Sequence, residues 1–428
     1  MTGARTLAGW LGRRPVIVAA GVYAVSAAGF WLLVASGTHF LDLQVYRIGG
    51  QAVLHGTPLY SLRVFGLLFT YPPFAAVLFA ILAPLPFTLA AVAVTAASMI
   101  ALPVIFYLAL RLPPVASWLD LGAAWRLAFA AAAAAVWLEP VQSTLGYGQV
   151  DLFLAAAVLC DLRLPGTSRW KGAAIGLAAG FKLTPAIFAI YYLATRRYRA
   201  AATSGVAFAV SVALGFAAIP RSSALYWTRL FASSARVGQL QDVANESLAG
   251  ALARTLRTSH ITAAWLLLAA AVGLAGLALA ALAQRRGDEA AGFSLCALTG
   301  LLISPVSWTH HWVIAVPALL LGAVAAYRAR TTPAGKLGLA AVAALVVIGW
   351  TRLVRQLPPI PRLQLDGWQI LISELYVLAA LGALALAARL AARARRATTT
   401  AQAGPAPVGD EPAVVPAGGD LPASRHPA

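Results

Sequence analysis

Long apolar runs recur along this chain, and most of them end at arginines: Arg13-Arg14, Arg111, Arg196-Arg197, Arg285-Arg286, Arg328, and Arg393 to Arg396. That pattern narrows the fold more than any other feature. In hydrocarbon every backbone N–H and C=O must be satisfied within the protein, which leaves helices or closed barrels. A barrel needs short alternating segments, and these runs do not alternate. Of the 428 residues, 61% are hydrophobic and only 11% are charged, with a mean hydropathy of +0.79. No soluble core needs so much apolar surface. The expected fold class is therefore all-α, a polytopic membrane protein with about 12 transmembrane helices plus juxtamembrane helices in the first external loop.

The net charge of +18 invites nucleic acid, but the arginines sit in short loops between apolar runs, as the positive-inside rule requires. No nucleic-acid partner is expected. The first apolar segment follows basic residues, like a signal peptide, but it is too long and lacks a cleavage site, so it reads as a retained anchor. Cys160 and Cys296 both lie inside apolar runs and read as small packing residues.

The map that follows has a cytoplasmic N-terminus over 1–14 and a first span at 15–36. An external loop, 37–72, mixes Asp42, Arg47, His55 and Arg63 with apolar residues, which suits amphipathic helices on the membrane surface. The apolar piece 74–86 is closed by Pro84 and Pro86 and is too short to cross. Further spans are expected at 87–110, 127–139 and 150–162, with Glu139–Asp151 as an outer loop sinking into the bilayer. Residues 172–195 read as a hairpin of two short helices broken at Pro185, with Lys182 near its outer tip. Spans at 201–219, 262–283, 290–304, 312–327, 337–353 and 369–390 complete a membrane domain over 15–396. The tail, 397–428, is rich in Ala, Pro and Gly and is expected to be a disordered cytoplasmic segment. On this map the histidines gather on the outer face. The expected location is the plasma membrane, with both termini cytoplasmic and the site outside.

Ionisable groups at membrane depth are costly and tend to mark function. Asp42, just past the first span, is either a general base or the cap of the helix that follows. Lys182 is the one Lys deep in an apolar hairpin; it either binds an anion such as a lipid phosphate, or snorkels or pairs with Asp151. His310 and His311 stand among Trp308, Trp312 and Ser307. Adjacent on a helix they point about 100° apart, a poor bidentate metal pair, and a phosphate or sugar contact is the alternative to an interface belt. Gln149 and Asp151 suit sugar hydroxyls, or else cap and hold their loop. Asn245 and Glu246 either bind an acceptor or are solvated loop residues. Tyr71, before Pro72-Pro73, either stacks on a sugar or anchors the surface helix. No dinucleotide fingerprint, phosphate-binding Gly loop or metal motif occurs, so no cofactor is expected and a divalent metal is not supported.

Taken in order, Asp42-Leu-Gln-Val-Tyr46, Tyr71-Pro-Pro73, Gly148-Gln-Val-Asp151, Lys182-Leu-Thr-Pro185, Asn245-Glu-Ser-Leu248 and Ser304-Pro-Val-Ser-Trp-Thr-His-His-Trp312 resemble a family. It is the actinobacterial polyprenol-phosphate-mannose-dependent α-1,2-mannosyltransferases, within the C-type (GT-C) integral membrane glycosyltransferases. The resemblance covers roughly residues 15–390. It implies a GT-C-like fold and inverting transfer of mannose from a polyprenyl-phosphate donor to a glycolipid or lipoglycan acceptor, for cell envelope biosynthesis. It places Asp42 on the family's essential acid as the base. Read with the residue chemistry above, Lys182 with His310 or His311 is expected to hold the donor phosphate, while Tyr71, Gln149, Asp151, Asn245 and Glu246 are expected to line the sugar and acceptor sites. Rival readings are transfer of polyprenyl-phosphate arabinose, or a lipid or sugar transporter.

Overall fold

The computed structural model describes residues 2–34, 39–231, 233, 236–329 and 365–402. The expected span 337–353, the Pro-rich turn 357–362 and residues 403–428 lie outside them. The first of two compact units runs from Met1 to Ala385; the second, from Leu386, is described only as the continuation of the last helix.

Among the described residues the regular structure is helical apart from one two-stranded hairpin. The helices are α1 (Thr2–Val34), α2 (Leu41–His55), α3 (Pro73–Phe79), α4 (Phe87–Leu110), α5 (Leu121–Ala135), α6 (Glu139–Tyr147) and α7 (Asp151–Arg163). They continue with α8 (Ala173–Phe181), α9 (Ala186–Ala194), α10 (Tyr198–Ala218), α11 (Pro220–Leu225), α12 (Leu248–Thr255) and α13 (Thr262–Arg285). The last are α14 (Glu289–Ile303), α15 (Val316–Arg328), α16 (Gly367–Ser373) and α17 (Leu375–Gln402). The hairpin joins β1 (Arg63–Val64) to β2 (Leu67–Leu68), antiparallel.

Among the described residues, six helices are long and apolar enough to cross a membrane, or seven if α5 and α6, bent by 76°, form one span. The span expected at 337–353 lies outside the described residues; of the others, α7 and α14, at 13 and 15 residues, are shorter than a bilayer crossing. The seven-residue α3 does not cross either. The hairpin of α8 and α9 breaks between Lys182 and Pro185, where expected.

Three expectations need correction. Glu139–Asp151 is not a loop: Pro140 sits at the start of a helix, and nothing breaks α6 until Gly148. The described residues of 37–72 hold one α-helix and a short 3₁₀ turn, Leu59–Ser61, rather than several amphipathic helices, because Gly56 ends α2 and the hairpin turns through Phe65 and Gly66, both with positive φ. Helix α17 continues to Gln402, through the Ala- and Thr-rich first residues, 397–402, of the expected tail.

An aromatic core fixes α2 and the segment that follows it onto the bundle. Tyr46 stacks on Phe79 at 4.2 Å, and Tyr60 on Tyr226 at 5.5 Å. Gly50 lets α2 reach α3: a Cβ there would meet the Phe79 carbonyl oxygen at 2.4 Å. Arg47 donates to the carbonyls of Leu82 and Ala83 and so holds the turn after α3.

On the other side, fully buried Arg254 of α12 makes a fork with Glu374, at 2.8 and 3.0 Å. It also donates to the carbonyls of Asp242 and Asn245. Arg254→Ala leaves Glu374 buried without its partner, and is expected to cost about 3–5 kcal/mol of stability. Arg254→Lys restores little of it, since one ammonium cannot replace the planar fork. Thermal unfolding in detergent measures both.

Candidate functional site

Asp42 is placed by the entry into α2. Phe40 takes a left-handed conformation there and donates its N–H to the Gly146 carbonyl at 3.1 Å. The first turn of α2 thereby rests on the junction of α6 and α7. Gly148 makes the approach feasible: its φ is +68, and a Cβ would meet Leu43 at 2.8 Å. Asp42 does not cap its own helix. Its Oδ2 instead accepts a hydrogen bond from Gln149 Nε2 at 2.8 Å. Burial pushes its carboxyl from 3.8 up to about 6. The Gln149 hydrogen bond and the Lys182 charge oppose that rise, and the Asp151 charge adds to it.

Gln149 is the meeting point of the site. The same Nε2 lies 3.1 Å from His310 Nε2, and its Oε1 accepts from Tyr46 and lies 3.1 Å from Tyr71 Oη. Tyr46 was not among the expected site residues. The signal was present, because Asp42 and Tyr46 are four apart and share a face of α2.

Lys182 stands at the break between α8 and α9, and its Nζ bonds Asp151 Oδ1 at 2.7 Å. Of the readings open for this lysine, pairing with Asp151 is the one realised within the protein. The ammonium also lies 5.3 Å over the Tyr71 ring. Asp151 Oδ2 and His311 Nδ1 are buried without a hydrogen-bond partner. Ligand atoms of Asp151, His310 and His311 lie within 4.8 Å of one another, so these three could hold a cation. The Lys182 ammonium already stands on the other oxygen of that carboxylate.

The histidines sit on a 3₁₀ turn, Thr309–Ala315, which the segment carrying Asn245 and Glu246 holds in place. Asn245 and Glu246 are not solvated: both are fully buried. Asn245 pairs with Trp308 as an isolated bridge, its Oδ1 accepts from the Ser307 N–H, and its Nδ2 donates to the carbonyls of Leu240 and Pro305. The Glu246 N–H donates to the Ser307 carbonyl. Its own carboxylate oxygens have no hydrogen-bond partner, and burial raises that carboxyl well above its usual range. The expected loop charge is thus an internal group: its segment binds the His-bearing turn rather than solvent.

Beside this cluster opens an apolar cavity of about 550 Å³, lined by Leu43, Tyr46, Phe74, Phe79, Phe153 and Phe181 among others. Tyr46 belongs both to its wall and to the polar cluster. A smaller cavity of about 40 Å³ lies against Asp151, Thr184, Ser307 and His311. Two carboxylates, an ammonium and two imidazoles thus converge at the edge of an apolar space. The model of glycosyltransferase family 87 matches residues 69–305. The chain belongs to that family. Three curated relatives agree with the assignment. A mycobacterial protein from Mycobacterium tuberculosis, named a polyprenol-phosphate-mannose-dependent α-(1-2)-phosphatidylinositol mannoside mannosyltransferase, is 34% identical over 88% of this chain and 91% of its own length. Its namesake from Mycolicibacterium smegmatis is 36% identical over 70% of this chain and 73% of its own. A pentamannoside mannosyltransferase from the same species is 36% identical over 67% and 70%. No solved structure matches the chain significantly. This family 87 chain is accordingly a membrane glycosyltransferase, and every residue expected at the site falls either in the cluster or in the segment that props it.

Proposed function

We propose that the protein transfers mannose from a polyprenyl-phosphate donor to a hydroxyl of a mannosylated inositol lipid or related lipoglycan. Asp42 carries the reading: one carboxylate oxygen is held by Gln149, and among the described residues no hydrogen bond engages the other. In the proposed step, Asp42 takes the proton of the acceptor hydroxyl as its oxygen attacks the anomeric carbon. The bond from that carbon to the phosphate oxygen breaks, and the phosphate leaves with the electron pair. Attack opposite the leaving group inverts the configuration. The Lys182 ammonium and the His310–His311 pair face the charge that gathers on the phosphate. A phosphate leaves without a protein acid, so one carboxylate suffices.

The apolar cavity lined by Phe74, Phe79, Phe153 and Phe181 suits the isoprenoid end of the donor. Tyr71 lies within reach of the sugar, its ring under Lys182 and its hydroxyl beside Gln149. No divalent cation is needed in this scheme, since Lys182 supplies the positive charge beside Asp151. The arginine-rich loops support an orientation with both termini in the cytoplasm and the site on the outer side of the plasma membrane.

Two measurements test the proposal. Purified protein given radiolabelled polyprenyl-phosphate mannose and a phosphatidylinositol mannoside is expected to form a new mannoside. Use of arabinose donor instead, or label crossing a vesicle with no glycoside formed, would overturn it. The rate is also expected to fall as pH drops through about 6, where Asp42 takes up its proton. An acidic limb near 4 would mean that the base is a different, solvated carboxylate.

A further inference from the structure

We propose that Gln149 is a positioning residue. Its single amide joins Asp42 to His310, selects the Asp42 oxygen that receives the acceptor proton, and sets the tautomer of His310. The inference rests on the reading of Asp42 as the base.

A primary amide offers two N–H donors and one carbonyl oxygen with two lone pairs. All four positions have partners here. The N–H groups point at Asp42 Oδ2 at 2.8 Å and His310 Nε2 at 3.1 Å. The carbonyl oxygen faces the hydroxyls of Tyr46 and Tyr71. A sugar hydroxyl could bind this amide only by displacing one of them, and Gln149 is just 4% exposed. The expected role as a sugar contact therefore gives way to one inside the wall of the site.

The orientation of the amide follows from its neighbours. An ionised carboxylate is only an acceptor, so the group facing Asp42 must be the NH₂. The carbonyl oxygen then faces the tyrosines, which both carry donors. The second N–H of that NH₂ meets a His310 nitrogen that must accept, so Nε2 carries a lone pair and the proton stands on Nδ1. Asp42 Oδ2 is engaged, which leaves Oδ1 for the acceptor hydroxyl. The backbone holds the amide rigidly: Gln149 follows the left-handed Gly148, and its N–H closes the end of α6 on the Thr144 carbonyl at 2.8 Å.

The consequence is readable in pH. Asp42 is faced by Gln149 and Asp151 from the α6–α7 junction, by Lys182 from the α8–α9 break, by Tyr46 on its own helix and Tyr71 on the loop, and by His310 through the amide. Among these, the Gln149 hydrogen bond favours the charged form of the base. Removing it makes the base harder to ionise, so the acidic limb moves up.

Gln149→Leu is expected to lower kcat by about 10²-fold through misalignment, with little change in KM for the donor. It should also raise the acidic limb of kcat/KM by about one pH unit, the equivalent of one lost charged hydrogen bond. Tyr46→Phe, which only loosens the amide, should give a smaller change in the same direction. A folded Gln149→Leu protein with an unmoved limb and a raised donor KM would overturn the inference and return the amide to the sugar. If Gln149→Leu does not fold, an unmoved limb in Tyr46→Phe overturns it equally. An active Asp42→Asn protein would instead defeat the reading of the base, so the two failures are distinguishable.

Discussion

Asp42→Asn is expected to abolish transfer while leaving the fold and donor binding intact. The substitution is nearly isosteric, and the Asn oxygen can still accept from Gln149 Nε2 as Oδ2 does at 2.8 Å. What disappears is the group able to take a proton. A positioned general base contributes about 10²–10⁴-fold, and the loss should fall in kcat rather than in donor affinity. Single-turnover transfer of labelled mannose, with an unfolding curve on the same preparation, measures both. Turnover at the wild-type rate would remove Asp42 from the chemistry.

Lys182→Met is expected to lose both stability and transfer, for different reasons that a second variant separates. The lysine is 8% exposed and Asp151 is 6% exposed. Deleting one partner strands a buried carboxylate and should cost about 3–5 kcal/mol. Replacing both, as Lys182→Met with Asp151→Leu, removes the stranded charge and should recover most of that stability. Transfer should stay lost in the double variant, because no ammonium then faces the departing phosphate. A double variant that is both stable and active would reduce the pair to a structural tie.

The apolar record of the chain was highly legible. Runs such as 87–110 and 262–283 became α4 and α13 with ends within a few residues. Transfer of a segment into hydrocarbon is close to a sum over its own residues, so a local reading recovers it. The hairpin break at Lys182–Pro185 was legible for the same reason, since Pro185 acts on its immediate neighbours. The ordered motifs identified the family and drew attention to Asp42, Lys182 and the histidines.

The arrangement of those residues was not legible. Asp42 and Gln149 are 107 positions apart; they meet because α6 turns 76° from α5 and Gly148 admits Leu43. Asn245 and Glu246 lie in a sequence context as polar as any surface loop, yet their segment pairs with Ser307 and Trp308 and is buried. The polarity of a residue says that it needs partners, and only the fold says which. The sequence by itself determined a helical membrane enzyme of one glycosyltransferase family, because hydropathy and motif order are local properties. Tertiary structure alone decided that Asp42 answers to an amide, that Lys182 answers to Asp151, and that Gln149 has no hand left for sugar, because hydrogen bonds act over about 3 Å and no local pattern encodes that distance.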